Sequence, residues 1–347
     1  LELVTDPVLL DVSSRFSGLP ASARRGLKLG EYFLNLSALL ARFCLSRPDV
    51  LHVQFLPTVK FGAPVELWFI QVVRRLGCGV VYTVHNVLPQ DTGDRCREQY
   101  RRLYRLVDRL ICHDECARDR LVNEFQVDAE RISVIPHGPL LQPQSATTAA
   151  NARAKLQLQP DEPLVLWQGI LRPYKGVSFL LEAWQRIKSR GGRGHLAVVG
   201  NGDLEMINEV RAQVTALKIE SSVRLDLRFV SVEELADYYT AADVLVYPYR
   251  EITTSGALMT GINYGKAIVA THQPAFQQVL REGENALMVD YGDVEGLAGR
   301  IERLIDDPTL RARLGDRARI SGANAVQWPE IAEKTLACYQ ALAGRAE

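Results

Sequence analysis

The stretch from Asp243 to Thr271, D-V-L-V-Y-P-Y-R-E-I-T-T-S-G-A-L-M-T-G-I-N-Y-G-K-A-I-V-A-T, constrains the fold more than any other part of the chain. An apolar, β-branched run (244–247) passes through a proline turn into T-T-S-G, a helical segment and a second apolar run (267–270). Two such runs joined by a helix make a βαβ unit with parallel strands. In that unit the helix N-terminus lies at the carboxyl ends of the strands, where free N–H groups and the positive dipole end favour a phosphate. Gly256 lets a diphosphate approach the backbone, and Thr254 and Ser255 add hydroxyl donors, so the turn reads as an anion cradle. The plain alternative is an ordinary N-cap followed by a packing glycine.

A second stretch carries complementary chemistry. The run 164–167 leads into Q-G-I-L-R-P-Y-K-G and then a helix with Val177, Leu180, Leu181, Trp184 and Ile187 on one stripe. Arg172 and Lys175 therefore sit on another strand-to-helix loop at the carboxyl edge of a parallel sheet. An arginine grips a pyrophosphate with a planar fork and a lysine adds a point charge. Two solvated loop cations are the plain alternative.

These two stretches, with G-N-G-D (200–203), F-V-S-V-E-E-L-A-D-Y-Y-T-A-A-D (229–243) and I-P-H-G (135–138), resemble the retaining glycosyltransferases of family 4, which have the GT-B fold. The likeness runs over nearly the whole chain and is strongest from 164 to 289. It implies an α/β protein of two doubly wound parallel-sheet, Rossmann-like domains facing across a cleft. It further implies a hexosyltransferase in polysaccharide or glycolipid synthesis, with a nucleotide-diphosphate sugar as co-substrate, a glycan, lipid-linked or other hydroxyl acceptor, and neither cofactor nor metal. By the same resemblance Arg172 and Lys175 stabilise the leaving diphosphate. The loops bearing Gly200, Gly202 and Phe229 border base and sugar, although each glycine taken singly reads more commonly as a turn residue. His85, closing V-V-Y-T-V-H-N, either hydrogen-bonds near the developing oxocarbenium centre or caps a βα turn. His52 and His137 read as structural.

The chain also departs from the family. The E-x7-E glutamates fall on Ile252 and Thr260, leaving Glu251 as the nearest carboxylate for a ribose and Thr260 at the second position. The arginine usual after the strand glycine falls on Ile170, with Arg172 as its substitute. Two other classes stay open on this basis: a sugar-nucleotide epimerase, for which Glu251 is the one candidate proton-transfer group, and a non-catalytic partner subunit.

Length and composition agree with this outline. The 347 residues suit two α/β domains of roughly 150 to 170 residues each. Lys plus Arg and Asp plus Glu balance at 41 each, which gives no argument for nucleic acid. No apolar run nears the roughly 18 residues of a membrane span. The six scattered cysteines read as reduced cytosolic thiols, so a cytoplasmic setting is expected. Cys112, His113 and Cys116 lack a second ligand pair nearby and read as packing rather than metal. The expected domains are 1–145 on the acceptor side, 146–325 for the nucleotide sugar, and 326–347 as a helix crossing back to the first domain, with 139–150 as linker. Leu1 to Val4 reads as a strand already under way, so the first βα unit is expected to be absent. Residues 95–109 interleave Arg95, Arg97, Arg101, Arg102, Arg105 and Arg109 with Tyr100, Leu103, Tyr104 and Val107. That pattern suits a basic amphipathic helix on the inner face of a membrane, while the commoner reading is a solvated helix packing its apolar stripe on the sheet.

Overall fold

The computed structural model describes residues 20–59, 65–89, 93–139, 141, 143, 147–159, 161–252, 255–323 and 327–343. The expected strand at the start of the chain, and Thr254, lie outside these residues. The chain forms two compact units. Unit 1 comprises Leu1–Cys112, Arg118–Val134 and Lys334–Glu347, and unit 2 comprises His113–Ala117 and Ile135–Glu333.

The described residues of unit 1 form four parallel strands, β1 (Val50–Val53), β2 (Gly79–Val84), β3 (Arg109–Cys112) and β4 (Ile132–Val134), in that spatial order. Helices α1 (Ala21–Leu45), α2 (Val65–Arg75), α3 (Arg97–Leu106) and α4 (Glu115–Phe125) alternate with them. Ile70, Val73, Val80, Val81, Leu103, Leu110 and Leu121 are fully buried between helices and sheet. Helix α1 starts well before the Glu31 that the pattern suggests. Gly26 and Gly30 mask its first turns, since each costs about 1 kcal/mol against alanine in a helix. Both face open space, so nothing beyond that propensity cost opposes the helix.

The arginine-rich residues 95–109 do not form one helix. A short 3-10 turn ends at Cys96, α3 follows, and Val107 turns the backbone extended so that Arg109 opens β3. Tyr100, Leu103, Tyr104 and Val107 are buried, so the apolar stripe is already occupied by the core. Arg97 pairs with Asp94 and Glu124, and Arg101 with Glu98.

In the β1–β2 register His52 lies beside Val81, which puts His52 and Gln54 on the same face as Thr83 and His85. Part of α13 (Trp328–Ala343) covers this face: from Lys334 onward it belongs to unit 1. The Tyr339 hydroxyl is 2.5 Å from His52 Nδ1, and Cys338 Sγ donates to Ser133 Oγ. Burial pushes the His52 imidazole down to about 4. Its folded state therefore takes up a proton only near pH 4, whereas the unfolded chain does so near 6.5. Stability from this residue is complete above pH 6.5 and is lost as pH falls towards 4, a change of roughly 2 to 3 kcal/mol. Urea midpoints followed by unit 1 fluorescence should fall across that window, and less steeply in His52→Gln. Equal slopes in the two proteins would remove the linkage.

The described residues of unit 2 form six parallel strands: β5 (Leu164–Gln168), β6 (His195–Val199), β7 (Val223–Asp226), β8 (Val244–Tyr247), β9 (Ala267–Thr271) and β10 (Leu287–Val289). Their spatial order is β10-β9-β8-β5-β6-β7. Successive residues face opposite sides of the sheet. Val165, Trp167, Val244 and Val246 thus join a core with α6 (Val177–Ser189) and α11 (Val294–Asp306). Leu164, Leu166, Leu245 and Tyr247 join a second core with α8 (Val232–Ala241) and α9 (Gly256–Asn263). Ser231 and Glu234 make a reciprocal capping box at the start of α8. Asp307 accepts the Leu310 amide at the head of α12 (Pro308–Ala323).

Candidate functional site

The strand order of unit 2 reverses at β5. From β5 the chain steps outward to β6 and β7, then returns to place β8 on the other side of β5. Loops leaving β5 and β8 therefore diverge at a topological switch point, the place where open α/β sheets bind ligands. These are the two loops singled out for phosphate chemistry.

The loops touch backbone to backbone. Gly176, the residue before α6, has φ 69°, and a Cβ there would lie 1.8 Å from the Pro248 carbonyl oxygen. Arg250 N donates to Tyr174 O across the same contact (2.7 Å). Gly200, after β6, has φ 142°, and a Cβ there would fall 1.9 Å from Gly169 O, so that turn also requires glycine. At Gly202 a Cβ would meet Leu171 Cβ at 2.7 Å, which marks close packing without a special φ.

Lys175 lies at the centre. Its ammonium sits 5.3 Å from the centroid of the Tyr249 ring. Burial lowers its pKa. Among the described residues the ammonium has no hydrogen bond or ion pair to offset that desolvation. Tyr249 is fully buried, with the Ser255 hydroxyl beside its own. Ser255 caps α9, its Oγ accepting from Leu258 N at 3.2 Å, and Gly256 is the first helical residue. A desolvated cation thus shares Tyr249 as a neighbour with the amide-bearing end of a helix.

The other expected residues are placed less uniformly. Arg172 is exposed and pairs with Asp203 at 3.3 Å, while Asp203 also caps α7 (Leu204–Ala216) through Met206 N. Glu251 is exposed beside Arg250, 3.5 Å away. Thr260 is 1% exposed and its hydroxyl donates to Gly256 O at 2.8 Å, so it points into the fold. Phe229 is 80% exposed on the loop after β7. Neighbouring Arg228 is tied to Asp226 (2.8 Å) and Glu234 (2.6 Å), and its guanidinium holds the Glu234 carboxyl down to about 2. All of these belong to unit 2.

His85 belongs to unit 1, directly after β2. Its Nε2 is 3.0 Å from Gln54 Oε1, and its ring stacks on Phe55 with centroids 4.6 Å apart and an interplanar angle of 7°. His137 and His113 lie in unit 2, and the Nδ1 of each hydrogen-bonds a backbone carbonyl, of Gly138 and Ile135 respectively. Burial lowers the His113 pKa. Among the described residues no group of three or more His, Cys, Asp or Glu could hold a metal ion. No described helix is long and apolar enough to cross a membrane.

Sequence reasoning missed Tyr249, Gln54 and Phe55. A signal for Tyr249 was present, because the two-residue alternation of β8 continues past Pro248 and places it on the same side as Tyr247.

Comparison with known proteins places this geometry. A family described as "Glycosyltransferase Family 4" matches residues 7–139, and one described as "Glycosyl transferases group 1" matches 162–307. The chain is 26% identical to the D-inositol 3-phosphate glycosyltransferase of Pseudarthrobacter chlorophenolicus, over 86% of this chain and 72% of that protein. It is 31% identical to the lipopolysaccharide core biosynthesis glycosyltransferase LpsE of Rhizobium meliloti, over 48% of this chain and 46% of that protein. Several other relatives match over only about half of their own length, such as the D-inositol 3-phosphate glycosyltransferase of Rhodococcus jostii at 52%. Among solved structures, sucrose-phosphate synthase from Thermosynechococcus elongatus superposes with a TM-score of 0.76 at 20% identity, covering 98% of this chain and 87% of that one. Anabaena HepE in complex with UDP-glucose superposes with a TM-score of 0.73 at 16% identity, covering 89% and 82%. With these matches in the two parts of the chain and the two-sheet architecture shared, the chain carries a glycosyltransferase family 4 domain followed by a glycosyl transferases group 1 domain, on a GT-B fold.

Proposed function

We propose that the chain is a retaining hexosyltransferase that moves a sugar from a nucleotide-diphosphate donor to a hydroxyl acceptor without a divalent metal. The observation that carries this reading is Lys175, a desolvated ammonium without a described counter-ion, near the first turn of α9 at the switch point. A diphosphate supplies the missing anion. Negative charge grows on it as the glycosidic bond breaks, and a fixed cation and helix amides stabilise that charge in the transition state. Arg172 joins by exchanging Asp203 for phosphate, Thr254 adds its hydroxyl, and Glu251 accepts from the ribose. Gly200, Gly202 and Phe229 border base and sugar in the same reading, with Phe229 as the stacking face, whereas Thr260 is turned into the fold. The complexes of HepE with UDP and UDP-glucose support a uridine donor as the first to test. The acceptor is a glycan or a lipid-linked glycan in a cytoplasmic setting, and residues 95–109 offer a membrane surface arginines together with the exposed Glu98, with Tyr100, Leu103, Tyr104 and Val107 buried.

The test is release of nucleoside diphosphate from a panel of sugar nucleotides, with and without acceptor, in EDTA and in Mg. Acceptor-dependent release that persists in EDTA, giving a product with the donor's anomeric configuration, is the expected result. Activity abolished by EDTA and restored by Mg or Mn would contradict the metal-free reading. The buried Thr260 at the second glutamate position favours one other reading, a partner subunit without turnover. Donor binding without any release identifies that case, and a change in the free donor's sugar identifies an epimerase.

A further inference from the structure

Tyr249 is the exception among the buried phenols of unit 2. The Tyr238 hydroxyl donates to Asp226 Oδ2 at 3.0 Å, and those of Tyr239 and Tyr247 donate to Ala257 O at 3.3 and 2.8 Å. Tyr249 is fully buried, yet its Oη has no hydrogen-bond partner among the described residues. A buried hydroxyl without a partner has given up its hydration for nothing in return, so a fold that keeps one calls for a reason. Loose packing is not that reason. The Tyr249 carbonyl oxygen accepts from Thr271 Oγ1 at 2.6 Å and from Gln273 Nε2 at 3.1 Å, and its ring packs on Phe276 and Tyr247 with centroids 5.4 and 6.0 Å apart.

The side chain joins two parts of the candidate phosphate site. The Lys175 ammonium is 5.3 Å from the ring centroid, and the Ser255 hydroxyl lies beside Oη in a geometry that closes no hydrogen bond. Burial pushes the phenol pKa up, so Oη keeps its proton and is a donor at any working pH. Ser255 Oγ has one proton to give and two lone pairs to receive, and Leu258 N already fills one of these at 3.2 Å. A bond from Tyr249 Oη fills the other and leaves the serine proton to point out of the turn.

We propose that Tyr249 is a positioning residue of the donor site, a role that rests on the reading of Lys175 and the first turn of α9 as the place of the diphosphate. When the diphosphate binds, the Tyr249 hydroxyl donates to Ser255 Oγ and so commits the Ser255 proton to a phosphate oxygen, while the ring seats Lys175 beside that serine. The phenol is unpaired in the free protein and paired in the complex, so its effects on stability and on binding take opposite signs.

The test is calorimetry with UDP, GDP and ADP, their nucleosides serving as phosphate-free controls, together with thermal melting of the free protein. In Tyr249→Phe the ring stays against Lys175 and only the hydroxyl is lost. The nucleoside diphosphate that the unaltered protein binds should bind this variant about fivefold to tenfold more weakly, as for one net hydrogen bond. Its nucleoside should bind equally well, and the melting temperature without ligand should hold or rise. Ser255→Ala should also weaken the diphosphate, and adding Tyr249→Phe to it should cost no further affinity, because both changes cut the same link. A hydroxyl that serves packing alone gives the reverse, a lower melting temperature with affinity unchanged, and that result overturns the proposal. Additive losses in the double variant overturn it as well. If none of the three diphosphates binds the unaltered protein, or if Lys175→Ala binds as tightly as the unaltered protein does, it is the phosphate-site reading beneath the proposal that fails.

Discussion

Replacing Lys175 by alanine is expected to weaken nucleoside-diphosphate binding about 10- to 150-fold, the equivalent of roughly 1.5 to 3 kcal/mol for a charge-assisted bond. The loss in kcat should be larger, on the order of 100- to 1000-fold, because the diphosphate gains charge on the way to the transition state. The surroundings of Lys175 give this prediction an internal control. Burial lowers the Lys175 pKa and Tyr174 offsets that only in part, with no carboxylate among the described residues paired to the ammonium. Removing it therefore costs the free protein little, and its melting temperature should hold or rise while the rise normally induced by ligand shrinks with the affinity. A stable variant with undiminished calorimetric affinity would falsify the assignment of Lys175 to the donor phosphates.

That control could not have been read from sequence, where Arg172 and Lys175 look alike as cations on one loop. Folding separates them. Arg172 reaches a carboxylate, Asp203, that lies 31 positions along the chain, whereas Lys175 is turned onto the Tyr249 ring. Only local patterns were legible, and these were largely correct. The strand runs of unit 2 show through as short β-branched segments, and the capping box at Ser231 announces itself by spacing. The errors arose where local propensity and tertiary packing disagree. Gly26 and Gly30 hid the first half of α1, and the continuous arginine pattern of residues 95–109 concealed the break at Val107, because a charge pattern has no term for where a sheet needs its next strand. For His85 the sequence placed the residue at a strand end, and its neighbours Gln54 and Phe55 come from another strand's edge, about 30 residues away in the chain.

The largest effect on folding is expected at Gly176, where one methyl group meets two separate objections. The residue sits at φ 69° and ψ 26°, in the left-handed region. A non-glycine residue there costs roughly 1 to 2 kcal/mol. Its added Cβ would also lie 1.8 Å from Pro248 O and 2.9 Å from Pro248 C, and both are backbone atoms that no rotamer change can move aside. Relief requires the β5 and β8 loops to part, which breaks the bond from Arg250 N to Tyr174 O and lifts Lys175 from Tyr249. Gly176→Ala should therefore destabilise unit 2 by more than about 4 kcal/mol, in the range reserved for strain and overpacking. Its donor affinity, measured well below the melting temperature, should fall at least as far as in Lys175→Ala. Gly191 isolates the steric part: its φ is 78°, yet nothing lies within 4 Å of the position its Cβ would take. Gly191→Ala should cost only the backbone term, about 1 to 2 kcal/mol, and should bind donor normally. If urea unfolding gave Gly176→Ala and Gly191→Ala the same loss, the two loops would not be locked together at Pro248, and the switch-point site would lack the rigidity that its chemistry requires.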